Sequence, residues 1–182
     1  MCTLTNVFVH KHSVTLFGPA IGHRSSTIVM DSSDTGVYAV YAEPLDQWIQ
    51  IGVASGHVIQ LSFHPEEPPD VNGDHAFLTH LLESITAGSP VDVTTLPIAL
   101  TVSTTDRQVY ETLRDVPAGS SISVEFLATQ LTFDTDDSID LIEEALQRNP
   151  IPLLIPDHRV TEPIGSTPQS VRARLRSIEG IV

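Results

Sequence analysis

Three short strand-like runs followed only by helical periods limit what this chain can fold into. Val37-Tyr38-Ala39-Val40-Tyr41 is built of β-branched and aromatic residues, and Trp48–Ala54 alternates apolar with polar positions. Ser55-Gly56 signals a turn, and His57–Phe63 follows as a third strand. The three are predicted to form an antiparallel meander. His64 to Gly73 holds three prolines and reads as a loop. Beyond it the apolar spacing becomes helical. Phe77, Leu78, Leu81, Leu82 and Ile85 predict a helix over 75–87, with Asp74 as its cap and Gly88 as its stop.

Ser89 to Leu100, rich in Pro and Thr, is a connector that places a domain boundary. The next helix begins at Thr104 or Thr105 with Val109, Tyr110 and Leu113 on one face, and Val116-Pro117-Ala118-Gly119 ends it. Ser123–Gln130 reads as a short helix and Asp136–Arg148 as a longer one. Ile151–Ile155 reads as a buried extended run, and Pro168 opens a last helix through Glu179. A turn between two of these helices suggests a helix-turn-helix. The expected class is α+β. A small N-terminal antiparallel α/β domain (31–98) precedes a helical, winged-helix-like, helix-turn-helix C-terminal domain (99–182).

Residues 1–30 stand apart. They contain no Asp or Glu, the chain's one Lys (Lys11), its one Cys (Cys2) and three of its eight His (His10, His12, His23). Lys11 and Arg24 give them +2, so residues 31–182 carry −16 of the −14 total. They are read as outside the core fold, either a basic arm or an extension upstream of a natural start at Met30. They show no long apolar stretch of signal-peptide type.

Twenty-three acids against nine Lys+Arg argue against a generic polyanion binder, because phosphate contact needs clustered cations. A lysine-poor, acidic surface also fits a salt-adapted host, where the Debye length shrinks to about 3 Å at molar salt. One cysteine excludes an internal disulfide and a thiolate metal site. The histidine spacings do not support a metal. No cofactor, no metal and no membrane segment are expected, and the chain is expected to be cytoplasmic and monomeric.

The segment Asn149-Pro150-Ile151-Pro152-Leu153-Leu154-Ile155-Pro156-Asp157-His158-Arg159-Val160 resembles the active-site motif of the methylated-DNA–protein cysteine methyltransferases, the alkylguanine-DNA alkyltransferases. That motif is an Asn-Pro, an apolar run, then Pro-Cys-His-Arg-Val. Val109-Tyr110-Glu111-Thr112-Leu113-Arg114-Asp115-Val116-Pro117-Ala118-Gly119 is similar to the family's Val-Tyr-x-x-Leu-x-x-Ile-Pro-x-Gly segment. The resemblance covers Val37 to the C-terminus. It implies DNA alkylation repair, with His158 as the water-mediated base, Glu179 orienting it, Asn149 supporting the turn and Arg159 structural. It also implies that the cysteine position reads Asp157. A carboxylate is a hard, weak nucleophile toward an sp³ carbon, so no transfer to cysteine is expected.

The residues that the resemblance sets against DNA are Ser123, Val124, Asp140 and Arg148. Asp140 falls at the family's Arg finger, Glu143 and Glu144 replace glycines on the same helix, and Val124 aligns with a nucleotide-rotating Tyr. The family's Tyr-Ser-Gly-Gly lid is missing from Thr161–Pro168. Two functions stay open: a damage-binding or sensing protein for alkylated double-stranded DNA, or a protein-interaction module that binds no DNA. Either Asp157-His158 works as a pair or it only hydrogen-bonds an inherited turn. Arg172, Arg174 and Arg176 are expected to form salt bridges to the acidic helix, with phosphate contact as the alternative.

Overall fold

A computed structural model of the chain describes residues 31–73, 75–88, 96–131 and 138–181. The alternating runs become a three-stranded antiparallel sheet: β1 (Gly36–Ala42), β2 (Gln47–Ala54) and β3 (His57–His64), in that order across the sheet. Val40 faces Ile49, and Ile51 faces Leu61. The β2–β3 turn has both central residues left-handed, Ser55 at φ 51° and Gly56 at φ 71°. Such a turn matches the twist of the strands it joins. A Cβ on Gly56 would lie 2.5 Å from the Asp31 carbonyl oxygen, so the position requires glycine.

Helix α1 (Ala76–Thr86) packs Phe77, Leu78, Leu81 and Ile85 into the same core as Ile49, Ile51 and Leu61 of the sheet. The observed cap is His75, whose ring nitrogen accepts from the Phe77 amide at 3.2 Å. The proposed cap Asp74 lies outside the described residues, as do 1–30 and most of the 89–100 connector. The rest of that connector holds a feature the sequence did not suggest. Ile98 pairs in parallel with Val58, through Val58 N–H to Pro97 O and Ala99 N–H to Val58 O, each 3.0 Å.

The C-terminal half holds α2 (Thr104–Arg114), α3 (Val124–Gln130), α4 (Ser138–Gln147), a single 3₁₀ turn (Asp157–Arg159) and α5 (Gln169–Glu179). Ser103 caps α2 by accepting from Asp106 N–H, and Ser123 caps α3 by accepting from Phe126 N–H. Helices α2, α3 and α4 pack together. Val109, Leu113, Leu127, Ile142 and Leu146 sit at their buried centre. Tyr110 donates its hydroxyl to the Ala145 carbonyl at 2.8 Å. Burial, then the charge of Asp106, pushes that phenol up to about 12, which keeps it a donor. One apolar core runs from Ala42 of β1 to Leu175 of α5. Leu61 N–H donates to Pro150 O at 2.9 Å and so fixes β3 to the motif segment.

Ile151–Ile155 is buried as expected, but it is not extended. Ile155 N–H returns to Ile151 O at 2.9 Å, and Leu153 sits at φ 80°. Pro150, Pro152 and Pro156 have no N–H, so the run cannot donate regularly to a neighbouring strand. Its buried amides must then be served locally. The Asn149 side chain does this, accepting from Ile151 N–H at 3.1 Å and donating to Ile155 O at 2.9 Å.

Candidate functional site

The turn delivers Asp157, His158 and Arg159 to one point on a 3₁₀ turn, all three buried. Asp157 is fully buried, and donors surround its carboxylate. Oδ2 accepts from Asn149 Nδ2 at 3.2 Å, Ser166 N–H at 2.8 Å and Thr167 N–H at 3.1 Å. Oδ1 accepts from the Thr167 hydroxyl. The Ser166 hydroxyl donates to Asn149 O at 2.8 Å and lies 3.3 Å from Oδ2. Gly165, at φ 142°, lets the loop close this far, because a Cβ there would come within 2.7 Å of the Asp157 carboxyl carbon. Behind this loop Arg172 is buried and donates to the backbone carbonyls of Asp157 at 2.9 Å and Ile164 at 3.2 Å, and to that of Val160.

The other half of the site is a cluster on Glu179 of α5. Arg159 grips its carboxylate with two parallel bonds, Nε at 2.9 Å and Nη2 at 2.7 Å, while Nη1 donates to Val116 O at 2.7 Å. His158 Nε2 lies 3.2 Å from Glu179 Oε1. That approach is close enough for an ion pair but is off the line of a ring N–H bond. Among the described residues, neither ring nitrogen of this buried imidazole makes an aligned hydrogen bond. Burial pushes the Glu179 carboxyl up, but the close approach of His158 and the hydrogen bonds and charge of Arg159 outweigh it and hold it down at about 2.

The structure therefore brings together all five residues named from the motif: Asn149, Asp157, His158, Arg159 and Glu179. The closing residues Gly165, Ser166, Thr167 and Arg172 were missed. A signal for them was present, since a buried aspartate demands donors and Gly-Ser-Thr is the nearest run of small donors downstream.

The four residues set against DNA fare differently. Ser123 is the α3 cap. Val124 is buried, and its amide donates to a Glu162 oxygen at 3.1 Å. Asp140 is exposed on α4. Arg148 is held by Glu144 at 3.0 Å and Asp106 at 3.1 Å, which tighten its hold on its proton. The expectation for the α5 arginines is corrected: among the described residues, none bridges to the acidic helix. Arg174 pairs with Asp46 of the β1–β2 turn at 3.3 Å, while Arg172 and Arg176 serve backbone carbonyls. Helix geometry explains this, since α5 turns Arg172 and Arg176 toward the 157–164 loop it packs against and Arg174 away from it.

Fold and site together define an α+β protein with a helical half closed around a buried carboxylate–imidazole–guanidinium centre. Residues 104–177 match the DNA-binding domain of the 6-O-methylguanine DNA methyltransferases. The fold of the chain is similar to Mycobacterium tuberculosis OGT in complex with DNA, with a TM-score of 0.62 at 17% identity over 80% of this chain and 94% of that one. The M. tuberculosis O6-methylguanine methyltransferase gives 0.59 at 17% identity, covering 80% and 92%. The O6-methylguanine-DNA methyltransferase of the hyperthermophilic archaeon Pyrococcus kodakaraensis gives 0.57 at 21% identity, covering 79% and 99%. No curated protein sequence matches the chain. Among the described residues no helix is long and apolar enough to cross a membrane.

Proposed function

We propose that this chain is a DNA-alkylation-repair relative that binds duplex DNA carrying alkylated bases without taking the alkyl group. Asp157 stands where the motif of the family carries its acceptor cysteine. One observation carries the loss of transfer: the Asp157 carboxylate is fully buried, and both its oxygens accept hydrogen bonds, from Asn149, Ser166 and Thr167. A carboxylate is a hard nucleophile, and hydrogen bonds to both oxygens weaken it further toward a methyl carbon. The match of residues 104–177 to a DNA-binding domain supports the binding half.

A second reading, a protein-interaction module without DNA binding, is favoured by the α4 surface. Asp140 and Glu144 are exposed there, and Arg148 is already paired. Phosphates approaching such a helix meet like charge.

Fluorescence anisotropy with an O6-methylguanine duplex and its undamaged twin, over a KCl series, separates the two. Tighter binding of the damaged duplex, with no methyl gained by the protein in intact mass spectra, is the expected result. Equal or absent binding at every salt would leave the interaction module. A methyl adduct on the protein would overturn the loss of transfer.

A further inference from the structure

Gln169, Arg172 and Arg176 fall three and four residues apart along α5 and share a face. A cleft of about 440 Å³ opens over that face, with Thr161 on its other side. Two of its lining residues are arginines and, among the described residues, none is Asp or Glu. On a chain of formal charge −14 that is not what composition alone would produce.

Three arginines of the chain are held by carboxylates. Arg148 lies on Asp106 and Glu144, Arg159 on Glu179, and Arg174 on Asp46. Among the described residues, Arg172 and Arg176 pair with no carboxylate. Arg176 Nη1 reaches only carbonyls, His158 O at 3.2 Å and Val160 O at 3.4 Å, and Arg172 reaches the same Val160 oxygen. Nearby acids are turned elsewhere. Asp157 faces its own donors, Glu162 faces the Val124 amide and Glu179 faces Arg159. Burial weakens Arg172's hold on its proton most, the Asp157 charge restores part of it, and the Arg176 charge beside it weakens it again, so the two cations repel. Ala173 leaves the middle of the face open, and Gln169, Ser177 and Thr161 add neutral donors.

We propose that this cleft binds a phosphate group, with Arg176 contacting the oxyanion and Arg172 supplying fixed positive charge behind it. A tetrahedral oxyanion would relieve the repulsion and accept from the donors that surround it. The cleft includes none of the five motif residues, so it stands whether or not the Asp157 site binds an alkylated base. The phosphate could arrive free or as part of a DNA backbone.

The test is an amide chemical-shift titration of the full chain with inorganic phosphate, ionic strength being held constant with KCl. A parallel arm uses an undamaged duplex. Saturable shifts at Thr161, Gln169, Ala173 and Ser177 are expected. Arg176→Gln should weaken binding about tenfold or more, as loss of a charge-assisted contact does. Ala173→Glu, at an exposed position, should abolish it by placing a carboxylate in the cleft. Arg174→Gln, whose partner is Asp46, should stay within about twofold. Shifts in both arms assign the backbone phosphodiester as a ligand, and shifts with phosphate alone assign the free ion. No saturable shift in either arm, or unchanged affinity in Arg176→Gln, overturns the site.

Discussion

Asp157 and His158 are neighbours in sequence and equally buried, yet they sit in opposite kinds of surroundings. The Asp157 half is saturated: a side-chain amide, two backbone amides and a hydroxyl converge on one carboxylate, with Gly165 pressed against it. The Glu179 half is saturated around Arg159 but leaves the His158 ring without an aligned partner. Buried polar groups are normally hydrogen-bonded, and the His158 ring instead only approaches the Glu179 carboxylate, at 3.2 Å. The difference teaches that the aspartate has become part of the scaffold, whereas the imidazole next to it has not.

Removing the Asp157 carboxylate should therefore cost the most. Asp157→Ala strips the acceptor from Asn149, Ser166 and Thr167 and removes the negative charge that acts most strongly on the buried Arg172 cation. A loss of about 3–5 kcal/mol is expected, the range for breaking a buried charged network. Urea denaturation of the variant and the parent measures it. A loss under about 1 kcal/mol would mean that the donors find water instead and that the carboxylate is not structural.

Next comes Gly165→Ala. Its Cβ would meet Asp157 atoms at 2.7–2.9 Å and would sit at φ 142°. About 2–3 kcal/mol is expected from overpacking and backbone strain. The steric part should shrink in an Asp157→Ala background, where two of the three clashing atoms are gone. A double-mutant cycle reads that coupling directly. Additive losses would show that the loop does not close on the carboxylate as described.

Much of this site could be read from the chain. Asn149, Asp157, His158, Arg159 and Glu179 were placed together by resemblance to a family's active-site motif, Glu179 by its context near the C-terminus. The three strands and five helices followed from hydrophobic period, while the Ser103 and Gly180 helix ends are seen only in the structure. Three things could not be read. The turn at Ile151–Ile155 depends on where buried amides find acceptors, and apolar periodicity does not report that. The pairing of Ile98 with Val58 is a long-range contact in a stretch without strand pattern. The partners of Arg172, Arg174 and Arg176 depend on which loop α5 packs against, and helical spacing alone says only which of them share a face.

Acid should test the Glu179 half. Its carboxyl is held down at about 2 against an ordinary 4.5. A depressed carboxyl contributes stability above its unfolded value and loses it as pH falls through its folded one. The contribution should be complete above about pH 5 and disappear between there and about pH 2, worth on the order of 2 kcal/mol. Glu179→Gln should flatten that segment of the stability–pH curve while lowering the plateau, because Arg159 then keeps only neutral partners. Denaturation midpoints taken every half unit of pH reveal it. An acid limb that survives in Glu179→Gln would assign the acid sensitivity to other carboxylates.

The smallest effect is expected at His158, although it is as deeply buried as Asp157. Replacing a buried polar group that has no aligned partner by an apolar side chain of similar volume removes little hydrogen bonding and some desolvation cost. His158→Leu should then fall within about 1 kcal/mol of the parent at neutral pH, where Arg159 still neutralises Glu179. The same variant should shift the acid limb toward higher pH, because His158 is one of the groups that hold the Glu179 carboxyl down. A loss of several kcal/mol in urea would put His158 in the same saturated class as Asp157 and erase the contrast between the two halves. A near-neutral loss with a moved acid limb would locate the imidazole's influence in the charge of Glu179.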